Sequence, residues 1–180
     1  MDLNILIGGE AGQGLKTTAY LLGKTIHGLG YNLFTSKDYM SRIRGGHNFV
    51  KIRFGDQEIL GPDPEVDILV GLNEETVDKH KNSVASRGWI LFEEAKEEVD
   101  NLITLPASSI AADINSKGIN TVFIGAVLKL LGLDLEKGIE VIKEHFERES
   151  IREDNIELLQ AGYEEVETKI EVPESQKDTG

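Results

Sequence analysis

The alternation of apolar and polar positions divides this chain into strands and helices in a nearly regular order. Leu3-Asn4-Ile5-Leu6-Ile7 is a short β-rich run that Gly8-Gly9 should stop, so the chain is predicted to open with a strand. Leu15, Ala19, Leu22, Ile26 and Leu29 then recur every three or four residues, which places them on one face of a helix starting near Gln13 or Gly14. Gly28 and Gly30 should end that helix. Tyr31-Asn32-Leu33-Phe34-Thr35 reads as a second strand, and this β–α–β opening predicts a parallel neighbour for the first.

Phe49-Val50-Lys51-Ile52-Arg53-Phe54 alternates as a half-buried strand. Gly55-Asp56 should turn it into a hairpin completed by Glu58-Ile59-Leu60. Val66 to Leu72 has the continuous apolar character of a central buried strand, and Glu74 to Lys81 that of a short helix with acidic residues at its start. Trp89-Ile90-Leu91-Phe92 and Asn101 to Leu105 are further strands. Helices are predicted around Ser108–Asn115, Asn120–Leu131, Leu135–His145 and Arg152–Glu167. The fold class that follows is α/β: a Rossmann-like three-layer domain, with a mostly parallel sheet, an antiparallel hairpin and helices on both faces. The domain should span 1–168, with 169–180 a disordered tail or linker rich in charge.

Composition narrows the chemistry. The formal charge is −13 over 180 residues, which argues against nucleic acid or an anionic membrane as partner. There is no cysteine, so the chain itself has no thiolate for an iron–sulfur cluster, a zinc site, a disulfide or a covalent nucleophile. No apolar run approaches the roughly 20 residues of a membrane span. The amino terminus, MDLNILIGGEAG, lacks the basic start of a signal peptide, and the expected location is the cytoplasm. His27, His47, His80 and His145 show no metal-ligand spacing.

Two segments carry candidate binding chemistry. GGEAGQGLKT, Gly8 to Thr17, follows the first strand and opens the first helix. Gly9, Gly12 and Gly14 give G-x-x-G-x-G, the reverse of the dinucleotide spacing, and Leu15 before Lys16 breaks the Walker A pattern. Small residues at a helix start still let an anion approach free backbone amides, with Gln13 in the loop and Lys16 one turn further on. A tight strand–helix turn with no ligand fits the same residues. The second segment is SRIRGGHN, Ser41 to Asn48. Between Thr35 and Arg53, Lys37, Arg42, Arg44, Lys51 and Arg53 face Asp38 alone, a net +4 that leaves −17 on the rest of the chain. Arg42 and Arg44 offer bidentate donors to phosphate beside Gly45 and Gly46, or pair with the chain's own carboxylates. His47 reads as a proton carrier or as a hydrogen-bonding turn residue, and Asn48 as a loop cap or a ligand contact. Asn73, directly after the Val66–Leu72 strand, is a further candidate at the same rim.

Five blocks in order, GGEAGQGLKT, SRIRGGHNFVKIRFG, VDILVGLNEET, GINTVFIGAVLKLLGLD and EDNIELLQAGY, resemble the gamma component of the 2-oxoacid:ferredoxin (acceptor) oxidoreductases, over about Leu3 to Glu167. The IRGGHN form is most similar to gamma domains fused ahead of the alpha part. The resemblance implies an enzyme that converts pyruvate, 2-oxoglutarate or a similar acid, with coenzyme A, to acyl-CoA and CO2, and passes the electrons to ferredoxin. It implies that the gamma part binds coenzyme A and covers the active site. Thiamine diphosphate, magnesium and the iron–sulfur clusters then belong to partner subunits, alpha and beta. Without those subunits the chain should be inactive, and a homodimer remains open. The implied coenzyme A residues are Gly9, Gly12, Gln13, Gly14 and Lys16 in the first block, and Arg44, Gly45, Gly46, His47 and Asn48 in the second, with Asn73 nearby. Two other readings stand beside this one. A stand-alone nicotinamide enzyme is disfavoured because the second strand ends in Thr35, Ser36 and Lys37, where an acidic ribose partner is expected. A non-catalytic assembly module would use IRGGHN as a protein contact.

Overall fold

A computed structural model describes residues 2–39, 46–94, 99–172, 174 and 175. The elements are β1 (Asp2–Glu10), α1 (Leu15–Gly28), β2 (Asn32–Tyr39), β3 (His47–Gly55), β4 (Val66–Gly71), α2 (Glu74–His80), β5 (Val84–Phe92), β6 (Leu102–Thr104), α3 (Ala107–Ile114), α4 (Ile119–Leu130), α5 (Leu135–His145) and α6 (Glu149–Glu164). They form one α/β domain around a six-stranded sheet in the order β2-β3-β1-β4-β5-β6. β1, β4, β5 and β6 run parallel, while β3 is antiparallel to both β1 and β2.

The expected parallel pairing of the first two strands does not form. β3 lies between them, with Leu3 opposite Phe54 on one side and Leu33 opposite Phe54 on the other. The hairpin is therefore β2–β3, not an arm through Glu58-Ile59-Leu60, and Leu60 projects into solvent at 86% exposure. The preference of consecutive strands for antiparallel pairing decides this, because the short link between β2 and β3 suits a hairpin. β1 also runs past Gly8-Gly9 instead of stopping there. The ladder to β3 continues as Gly8–Phe49, Gly9–Asn48 and Glu10–His47 and keeps the glycines extended. Gly8 is needed for a different reason: a Cβ there would strike the side chain of Thr76 on α2.

The pleat sorts the core into two layers. Leu3, Ile5, Ile7, Val50, Ile52, Phe54, Ile68 and Val70 point to a large cluster with α1, α4, α5 and α6. Leu6, Leu69, Ile90 and Phe92 point the other way, against Val77 of α2. α4 is apolar on nearly every side, as a helix enclosed by neighbours must be; nine of its twelve residues are buried. It lies so close to α6 that a Cβ on Gly125 would run into the Leu159 carbonyl, and one on Gly162 into the Val122 carbonyl. Past the helices, the Lys169 and Ile170 amides donate to the Leu130 carbonyl, and Ile170 and Val172 pack against the core. The chain is thus still tied down just beyond the expected boundary at 168.

Candidate functional site

The carboxyl end of β1 delivers the glycine loop. Gln13 shapes it from within: its Oε1 accepts the Glu10 amide at 2.6 Å, and its own amide donates to the Glu10 carbonyl at 3.1 Å. Gly9 has its place here, since a Cβ would approach Gln13 Oε1 to 2.7 Å and Leu72 Cβ to 3.1 Å. Gly12, at φ 98°, faces open space, with no atom within 4 Å of where a Cβ would stand. Gly14 caps α1 in a left-handed conformation, φ 77°, with no side-chain cap and no acidic residue in the first turn. The first amides of α1 are therefore available to an anion.

A second helix begins at the same place. α4 starts after Gly118, again without a side-chain cap or an acid in its first turn. Asn120 Nδ2 donates to the Gln13 carbonyl at 2.5 Å and ties the two helix starts together. Between them lies a pocket of about 370 Å³ lined by Gly12, Gln13, Gly14, Lys117, Asn120 and Phe123, among others. Lys117 forms no ion pair with any described residue. Sequence reasoning missed Lys117 and Asn120. The signal was the basic, glycine-ended SKG turn (Ser116–Gly118) ahead of an apolar helix, a second uncapped helix start.

The β2–β3 hairpin supplies the other side. The Ala11 amide donates to the Gly46 carbonyl at 3.1 Å, so the base of the hairpin is joined to the glycine loop. The described end of the second segment, Gly46 to Asn48, thus lies beside the glycine loop, brought there by an antiparallel hairpin. Arg42, Arg44 and Gly45 lie outside the described residues. His47 and Asn48, at 3% and 5% exposure, sit inside the hairpin base. His47 Nε2 lies 2.8 Å from His80 Nε2. Burial pushes both imidazoles below the ordinary histidine range, and the neighbouring His47 adds to the effect on His80, which falls to about 4.

The remaining candidates separate. Asn73 is the N-cap of α2; its Oδ1 accepts the Thr76 amide at 3.0 Å and the Thr76 hydroxyl at 2.7 Å. Lys16 does not line the small pocket. It lines a wider groove of about 990 Å³ with Tyr20, Lys24, Leu33, Lys37 and His145. Lys24 there is paired with Glu144 at 2.7 Å, while Lys16 and Lys37 form no ion pair with a described residue. The geometry therefore presents a polyanion with two helix starts, Lys117 and Asn120 in one pocket, and with Lys16 and Lys37 along a neighbouring groove.

Comparison with known proteins bears on the family and the fold. Residues 4–165 match the sequence profile described as pyruvate ferredoxin/flavodoxin oxidoreductase. The alpha subunit of a 2-oxoacid:ferredoxin oxidoreductase from a Sulfolobus species is 23% identical over 99% of this chain and 36% of its own length. The chain thus spans about a third of that curated relative. The structure of 2-oxoglutarate:ferredoxin oxidoreductase from Magnetococcus marinus, with 2-oxoglutarate, coenzyme A and succinyl-CoA bound, superposes with a TM-score of 0.87 at 19% identity, over 97% of this chain and 33% of that one. The gamma subunit of a keto/oxoacid ferredoxin oxidoreductase from Geobacter sulfurreducens superposes with a TM-score of 0.79 at 21% identity, over 92% of this chain and 96% of that one. At such identities the two superpositions concern the fold. The match over nearly the whole sequence carries the assignment: this chain belongs to the pyruvate ferredoxin/flavodoxin oxidoreductase family.

Proposed function

We propose that this chain is the gamma component of a thiamine-diphosphate-dependent 2-oxoacid:ferredoxin oxidoreductase, and that it binds coenzyme A and covers an active site formed by alpha and beta subunits. The observation that carries the reading is the meeting of two uncapped helix starts with Lys117 and Asn120 at the glycine loop. Coenzyme A bears a pyrophosphate and a further phosphate, and such a ligand needs several donors on one rim. The residues present fit it. Gly12 leaves the backbone open to close approach, and the first amides of α1 and α4 are free of side-chain caps. Lys117 supplies charge, and Lys16 and Lys37 extend it along the groove. Arg44 and Gly45 belong to this reading through their place in the sequence between β2 and β3, just before Gly46.

When bound, coenzyme A supplies the thiol that accepts the acyl group. This chain's part is to fix the phosphates, to orient the arm toward the partner subunits and to limit water around it. Thiamine diphosphate, magnesium and the iron–sulfur clusters are assigned to those partners, since this sequence contains no cysteine to hold a cluster. Electrons reach ferredoxin through the complex. None of the described helices is long and apolar enough to cross a membrane, and the proposed location is the cytoplasm.

The test is a calorimetric titration with coenzyme A, with NAD as control, of this chain alone and together with alpha and beta subunits. Coenzyme A binding in either form, with none for NAD, supports the reading. NAD binding, or no coenzyme A binding even in the assembled enzyme, contradicts it.

A further inference from the structure

We propose that His80 is a positioning residue for this anion site: by holding His47 through their Nε2 atoms it fixes where the base of the β2–β3 hairpin stands against the glycine loop. The inference rests on the coenzyme A reading above for its consequence, but not for its geometry. His80 is the last residue of α2, and His47 the first of β3. Nothing in the sequence links them, since 33 positions separate the two. The fold brings their Nε2 atoms to 2.8 Å, and Phe49 packs its ring against both, 5.9 Å from His47 and 4.7 Å from His80.

From His47 the connection to the site is short. Its ladder partner is Glu10, which is also the residue whose amide and carbonyl hold Gln13. Gly46, next to His47, accepts the Ala11 amide. A shift of His47 therefore moves both sides of the loop. α2 is held in turn by its Asn73 cap and by Val77 in the core. It gives the hairpin a fixed point on the far face of the sheet.

The hydrogen bond sets a protonation requirement. One ring must present Nε2–H and the other a bare Nε2, so the pair is held while at least one ring is neutral in the matching tautomer. Two protons would set N–H against N–H and break it. The lysines around the rings oppose charge, while the carboxylates favour it. Lys79 and Lys51 face them, Lys79 being paired with Glu75 at 2.6 Å, and Glu75 is the carboxylate on that side. Glu10 flanks His47 from β1. Burial adds to the effect of the lysines, so the anchor is complete at neutral pH and weakens in acid.

Two variants in the assembled enzyme test the proposal. His80→Phe keeps a ring and loses the bond, while His80→Gln keeps a hydrogen-bonding group that does not titrate. Amide exchange read by mass spectrometry over residues 8–14, which include the Ala11 amide, should rise in His80→Phe and stay near wild type in His80→Gln. Coenzyme A affinity at pH 7 should fall about three- to tenfold in His80→Phe, the scale of one net hydrogen bond, and be kept in His80→Gln. Between pH 7 and pH 4 wild type should lose affinity more steeply than His80→Gln, the difference opening toward the low end; the ligand's own phosphate titrates in both, so the difference is the readout. Unchanged exchange over residues 8–14 in a folded His80→Phe enzyme overturns the proposal even if coenzyme A binds. Equal pH profiles for wild type and His80→Gln overturn it as well. Failure of wild type to bind coenzyme A overturns the functional reading instead, and the exchange result then stands by itself on the anchor.

Discussion

Asn120 on α4 donates its side-chain N–H to the main-chain carbonyl of Gln13, 107 positions earlier, at 2.5 Å. This one contact turns a glycine-rich turn into half of a two-helix pocket. It fixes the loop between β1 and α1 against the start of the most buried helix of the domain.

Replacing Asn120 with alanine should therefore loosen the loop more than it destabilises the fold. The expected cost in global stability is about 1 kcal/mol, the ordinary net value of a hydrogen bond. Amide exchange of the Gly12–Gly14 segment should increase, and coenzyme A affinity should fall several-fold. Urea denaturation beside a ligand titration separates the two effects.

Gly14 is constrained twice. Its φ of 77° lies in the left-handed region, and a Cβ there would stand 2.8 Å from Asn120 Nδ2. Gly14→Ala should cost about 1–2 kcal/mol from backbone strain alone. It should also break the Asn120 contact, so coenzyme A affinity should fall further than in Asn120→Ala. A variant as stable and as tightly binding as wild type would mean that the loop has another conformation.

The α4–α6 interface should be the least tolerant part of the core. Gly162→Ala places a methyl group against the Val122 carbonyl, and a backbone atom cannot rotate away as a side chain can. Overpacking of this kind typically costs about 1–3 kcal/mol or more. The midpoint of chemical denaturation should drop accordingly, with no direct effect on the phosphate pocket.

Acid should weaken the fold through the histidine pair. An unfolded histidine titrates near 6.5, whereas burial and His47 hold His80 at about 4 in the folded protein. Between those values the unfolded chain binds more protons than the folded one, so stability rises with pH through this range. The contribution is fully present above about 6.5 and is lost as pH falls toward 4. Urea midpoints should decline from pH 7 to pH 4.5, and less steeply in His80→Gln.

Much of this fold was legible in the periods of the sequence, because a buried helix and a strand covered on both sides leave strong local patterns. Leu15 to Leu29 gave α1 its face, and Val66 to Leu72 read as central because β4 is buried on both sides. Pairing was less legible. Nothing local in Phe49–Phe54 tells that β3 inserts between β1 and β2, since register is a property of two strands at once. The same holds for the site. Gly12 and Gly14 could be read as a ligand loop from their spacing, but Lys117 and Asn120 reach it only through tertiary packing. Asn73 reads from the sequence as a rim contact, and the fold adds that it caps α2, a role its place before Glu74-Glu75 also fits. The His47–His80 contact had no sequence signal at all, as the two rings come from a strand and a helix 33 positions apart.

The most direct test of the central claim is the dissociation constant of coenzyme A for the assembled enzyme carrying Lys117→Ala, beside Lys143→Ala on α5 as a control for charge alone. If the two helix starts and Lys117 hold the phosphates, Lys117→Ala should weaken binding by about tenfold or more, the scale of one charge-assisted hydrogen bond, and Lys143→Ala should not. Equal affinities for wild type and both variants would contradict the account and remove the glycine-loop pocket as the phosphate site.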